Sequence, residues 1–106
     1  MNQPRSTRMN PLDRKDEILQ AATAIANEGN LYTMTAVDVG KRAACARSLI
    51  HQYYGPIGIL RNYVILKALH ETLPNILAQA LAKNDALIRD MSDKQRDAVA
   101  QFMTGD

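Results

Sequence analysis

At 106 residues, with 46% hydrophobic and 23% charged side chains, the chain holds material for one domain and is too apolar for wholesale disorder. Aromatics make up 5% and Trp is absent, so a core must come from Leu, Ile, Val and Ala, which favours packed helices over a β-sandwich. The net charge of +2 hides an asymmetry: residues 1–70 carry nine Lys and Arg against five Asp and Glu, residues 71–106 four against six. That is the pattern of a polyanion-facing N-terminal half.

Residues 1–12 are polar, hold Pro4 and Pro11 and lack periodicity, so they read as a flexible basic arm carrying Arg5 and Arg8. From Asp13 a helical pattern begins, with Ile18, Leu19, Ala22, Ile25 and Ala26 on one stripe. Gly29 is its natural left-handed stop. Thr35 is then an N-cap, and Asp38 three residues on makes a near capping box for a short helix bearing Val37, Val39, Lys41, Arg42 and Ala43. Ala44-Cys45-Ala46 suits a tight turn, and Arg47 to Tyr54 forms another short helix stopped by Gly55-Pro56.

A longer helix over roughly 57–70 is apolar on most sides and is expected to lie between two layers. Pro74 starts a fifth helix with Leu73, Ile76, Leu77, Ala80 and Leu81 on one face, then Leu87 and Ile88. Ser92 and Gln95 form a capping box for a last helix bearing Val99, Phe102 and Met103. No strand pattern appears. The expected fold is all-α: a three-helix helix-turn-helix head over 13–55, then two to three helices for dimerisation over 56–106.

Cys45 is the lone cysteine, so it has no disulfide partner and no thiolate neighbours for zinc; a small buried hydrophobe is the expected role. The N-terminus has no apolar run of a signal peptide, and no stretch is long enough to span a bilayer. A soluble cytoplasmic protein is expected, with no membrane partner. His51 and His70 lack Cys or carboxylate partners, so neither metal nor cofactor is expected. His70 suits the C-terminal end of its helix. No Ser/His/Asp arrangement, paired carboxylates or phosphate loop can be picked out, so no catalysis is expected.

At 100° per residue, Arg47, Ser48, His51 and Gln52 occupy one arc of about 140°, while Leu49, Ile50, Tyr53 and Tyr54 fill the rest. Arg can pair with guanine and Gln with adenine in a major groove. Thr35 and the first N–H groups of the preceding helix can hold a phosphate, with Lys41 and Arg42 adding charge. The same wheel also fits a helical hairpin whose polar face simply meets water.

The run Arg14-Lys-Asp-Glu-Ile-Leu-Gln-Ala-Ala, then Glu28-Gly29, Met34-Thr35, Val39-Gly-Lys-Arg-Ala-Ala-Cys-Ala-Arg-Ser-Leu-Ile-His-Gln-Tyr-Tyr-Gly and Leu60, resembles the N-terminal domain of TetR-type (tetracycline-repressor-like) regulators. It covers roughly residues 14–65. The resemblance implies a three-helix DNA-binding head and a homodimeric repressor. It also implies that Thr35, Arg47, Ser48, His51 and Gln52 touch DNA, with His51 at the family's usual phosphate-contacting Tyr; Tyr53 joins this set.

The chain departs from that pattern in three places. Ala44-Cys45-Ala46 stands where Gly, an aliphatic residue and Ser or Thr are common, so the recognition helix loses a capping hydroxyl. Ile57 stands where a phosphate-binding Lys is usual, with Arg61 or the arm as the expected substitute. Only about two further helices follow, too few to enclose an inducer pocket, so no small-molecule ligand is expected.

Leu73, Ile76, Leu77, Ala80 and Leu81 fit either an intramolecular core or a dimer seam, and the apolar surplus of the fourth and fifth helices favours the seam. The resulting expectation is a homodimeric regulator binding double-stranded DNA at a palindromic operator, with Arg5 and Arg8 adding contacts. The alternative is a protein-interaction module, an antirepressor or adaptor on the same fold.

Overall fold

The computed structural model describes residues 11–105, and every regular element within them is helical. Six α-helices follow in order: α1 (Pro11–Ile25), α2 (Ala36–Ala43), α3 (Arg47–Tyr54), α4 (Ile57–Glu71), α5 (Pro74–Ala82) and α6 (Asp93–Thr104). Arg5 and Arg8 lie outside the described residues. Among the described residues no helix is long and apolar enough to cross a membrane.

The boundaries follow local chemistry. A π turn over Ala26–Asn30 closes α1, and Gly29 takes the left-handed backbone there with φ 101°. The Thr35 side chain accepts from the Asp38 N–H at 3.2 Å while Asp38 Oδ2 accepts from the Thr35 N–H at 2.9 Å, completing the capping box. Ser92 and Gln95 repeat this device at α6. Gln95 also donates to the carbonyl of Leu69, tying the start of α6 to the end of α4.

The fifth helix is shorter than its periodicity predicts. It ends at Ala82, Asn84 adopts φ 57°, and Asp85 caps a separate 3-10 turn over Ala86–Ile88. Asn tolerates the left-handed region better than most residues, and the Asp85 carboxylate accepts the Leu87 N–H, so a reverse turn replaces another helical turn.

One hydrophobic cluster runs through both parts of the chain, from Ile18, Ala22 and Ile25 through Val39, Ile50, Leu60, Val64 and Ile65 to Ile88, Met91 and Val99. Ile76, Leu77 and Ala80 belong to it and are fully buried within the chain, which corrects their expected place in a subunit seam. The 3-10 turn and α6 fold back on α5 and complete the core around them. The apolar side chains left half-exposed on α4 are Ile59, Tyr63 and Leu66, spaced as one helical stripe.

The two parts are joined by polar anchors as well. Gln79 on α5 accepts from the Leu31 N–H at 2.9 Å and donates to the Ala26 carbonyl at 2.6 Å. Asn75 donates to the Asn27 carbonyl at 2.7 Å. Together they give backbone groups at the π turn side-chain partners from α5.

Candidate nucleic-acid interface

The site is built on α2, the turn after it and α3. Helix α2 has its apolar side on the core through Val39, and its Gly40 is buried against the turn. A Cβ at Gly40 would stand 2.7 Å from the Cys45 carbonyl oxygen, so only glycine lets the turn come this close. The Cys45 N–H then bonds the Gly40 carbonyl at 2.9 Å, fixing the reversal. Cys45 itself is partly buried against the core.

Ala44 makes that reversal with φ 56°, a left-handed conformation that suits glycine. Ala46 then starts α3 with no side-chain cap. Ala44→Gly is expected to raise stability by about 1 kcal/mol, because it removes a Cβ from a strained backbone. The midpoint of urea unfolding reads this directly. A midpoint below that of the parent chain would show that the turn carries no strain at Ala44.

Helix α3 lies with Ile50 and Tyr54 buried. Arg47, Ser48, His51 and Gln52 are all exposed on the other side. The division of the helix into two arcs is thus realised as a division between core and solvent. Tyr53, expected among the contacts, is partly buried against the core on the side away from Arg47. Ala36, in the first turn of α2, lines one depression together with Arg47, Ser48 and His51, so the capped start of α2 stands beside the polar face of α3.

The other expected contacts are dispersed. Arg42 is exposed, but its guanidinium reaches Glu28 through two contacts of 3.0 Å, Nη2 to Oε1 and Nη1 to Oε2. These hydrogen bonds and the adjacent charge hold the Glu28 carboxyl below its ordinary range. Arg42 is thus tied to the π turn after α1 by an exposed ion pair. Lys41 is exposed and borders a cleft that Arg42, Glu28 and Asp38 also line. Arg61, expected as a substitute for a lysine at Ile57, has its Nε donating to the Leu31 carbonyl at 2.9 Å. Ile57 packs against the core. Among the described residues no group of three or more His, Cys, Asp or Glu side chains is placed to hold a metal.

Tyr54 sets the tilt of α3 against α1. Its hydroxyl donates to the Lys15 carbonyl at 2.9 Å, its ring meets that of Tyr63 edge-on at 5.3 Å, and the Lys15 ammonium lies 5.2 Å from the ring centroid. Burial, with smaller effects of the Asp16 charge and of Tyr63, pushes its hydroxyl up to about 12. An unfolded Tyr ionises near pH ~10. Stability from this group is therefore complete below pH ~10 and is lost as pH rises toward ~12, because the unfolded state releases its proton first. Urea unfolding at stepped pH should show the parent chain losing on the order of 2 kcal/mol relative to Tyr54→Phe across that window. A constant difference between the two proteins would contradict this.

In comparison with known proteins, the chain matches no family model, no curated protein and no solved structure.

Proposed function

We propose that this chain is a sequence-specific DNA-binding regulator that works by occupancy, without chemistry on the DNA. One observation carries the reading: Arg47, Ser48, His51 and Gln52 stand exposed along α3, with the capped start of α2 beside them. In this reading α3 enters the major groove. Arg47 pairs with a guanine edge, Gln52 with an adenine edge, and Ser48 and His51 reach a neighbouring base or phosphate. Thr35, the N–H groups of the first turn of α2 and Lys41 hold the phosphate backbone. Arg42 would have to exchange its exposed ion pair with Glu28 to join this set.

The resemblance over residues 14–65 extends the reading to a repressor of TetR type acting as a homodimer on a palindrome, with half-sites about one helical turn apart. With Ile76, Leu77 and Ala80 buried, the surface that supports a dimer is the half-exposed stripe of Ile59, Tyr63 and Leu66. We also propose that no small-molecule inducer is required, and that the protein is cytoplasmic.

The test is selection of a binding site followed by gel shift across a salt titration. Binding should fall linearly on a log–log plot of affinity against salt. Arg47→Ala should weaken binding by roughly 10-fold to 100-fold and relax selectivity at one base pair, whereas Lys41→Ala should weaken all sequences alike. A folded chain that shows no salt-dependent binding overturns the reading and points to a protein-interaction module instead.

A further inference from the structure

We propose that α5 and the turn behind it control the DNA-reading surface by clamping the strap of residues 31–35 that leads into α2. The inference deepens the DNA-binding reading and rests on it for its functional consequence. Helix α2 packs chiefly on α1 and α3, so the later helices reach it through the strap that precedes Thr35.

Both backbone polar groups of Leu31 are taken by side chains from the later helices. Its N–H donates to Gln79 at 2.9 Å, and its carbonyl accepts from Arg61 at 2.9 Å. The next residue is held from the far end of α5: the Tyr32 hydroxyl donates to Asp85 Oδ2 at 2.8 Å. Two cations lie near the Tyr32 ring, Arg61 at 5.6 Å and Lys83 at 5.3 Å from its centroid. Leu31 and Met34 are buried beneath it. Thr35, whose side chain and carbonyl accept the Asp38 and Val39 N–H groups, follows at once.

The clamp is therefore continuous from the turn at 83–85 to the first turn of α2. Its outer end is the part most open to control. Lys83 and Asn84 are exposed, Tyr32 is only partly buried, and the hydroxyl contact is a single hydrogen bond across 53 positions of the chain. Displacement of this turn releases Tyr32 first and slackens the strap, while the core beneath α1 and α4 keeps its packing. The cap that faces the phosphate then loses its fixed position.

Amide hydrogen exchange on the full chain tests this without DNA. Tyr32→Phe keeps the ring and its cation contacts and removes only the hydroxyl. Exchange at Asp38 and Val39 should quicken about fivefold, with Ala22 and Val64 unchanged. Asp85→Ala, which also removes the acceptor of the Leu87 N–H, should be at least as fast, and the double variant should be no faster than Asp85→Ala; Asp85→Asn, whose oxygen can keep the Leu87 N–H while its amide N–H donates to the Tyr32 hydroxyl, should keep the parent rate. Unchanged exchange at Asp38 and Val39, equal acceleration at Ala22 and Val64, or additive effects in the double variant would each overturn the clamp. In gel shift, Tyr32→Phe should bind selected DNA at least threefold more weakly than the parent chain, and equal affinity would overturn its link to reading. A parent chain that binds no DNA removes the DNA-binding reading, and the exchange rates alone then decide the clamp.

Discussion

Gly40→Val is expected to cost about 3 kcal/mol or more of stability and to abolish the arrangement of α2 against α3. The Cβ of any larger residue would stand 2.7 Å from the Cys45 carbonyl oxygen, with the Arg47 nitrogen at 3.6 Å and the Ala46 carbonyl carbon at 3.7 Å behind it. All three are backbone atoms, so relief requires the turn to move, and the Cys45 N–H to Gly40 carbonyl bond moves with it. Helix propensity argues the other way, since glycine within a helix is worse than alanine by about 1 kcal/mol. The contact is the larger effect, so even Gly40→Ala should lose about 1–2 kcal/mol net.

Gly58 provides the control. It lies in α4, where a Cβ meets nothing nearer than the flexible Arg61 guanidinium at 3.8 Å. Gly58→Ala should therefore be neutral or stabilising by up to about 1 kcal/mol. Urea unfolding of the two alanine variants separates packing from propensity. If both stabilise, the close approach of α2 to the turn is refuted.

The second large effect is expected at Gln79. Gln79→Leu keeps the volume but removes the acceptor for the Leu31 N–H and the donor to the Ala26 carbonyl. Both Leu31 and Ala26 are fully buried, so water has little access to the groups left behind. An unsatisfied buried group costs about 1–3 kcal/mol, which puts the loss for this pair at roughly 2–4 kcal/mol. Leucine's better burial offsets only part of it, because Gln79 already packs its stem in the interface. Gln79→Glu keeps an acceptor for Leu31 but sets a carboxylate oxygen against the Ala26 carbonyl, so its unfolding midpoint should also fall below that of the parent. A Leu variant as stable as the parent would show that the amide is dispensable.

The two sites also show how much was legible in the residues alone. The Thr35–Asp38 and Ser92–Gln95 caps, the left-handed Gly29 and the exposed arc of α3 follow from local spacing, because caps and helix faces are decided within one or two turns. Gly40 left a faint signal, an isolated glycine inside an amphipathic helix, but what it accommodates is the Cys45 carbonyl brought back by the turn. Gln79 left none. A glutamine on α5 reads as a surface residue until the fold places the Leu31 N–H and the Ala26 carbonyl opposite it.

By itself the sequence determined the all-helical class, the order of the helices, their caps and which side of α3 is polar. Each is set by periodicity and by hydrogen bonds between residues three or four apart. Tertiary structure decided the rest. It buried Ile76, Leu77 and Ala80 within the chain and paired Arg42 with Glu28 and Arg61 with Leu31. Those outcomes depend on partners 14 to 53 positions away, as in Arg42 with Glu28 and Tyr32 with Asp85. An apolar stripe or a surface arginine is compatible with several such partners, and only closure of the core selects among them.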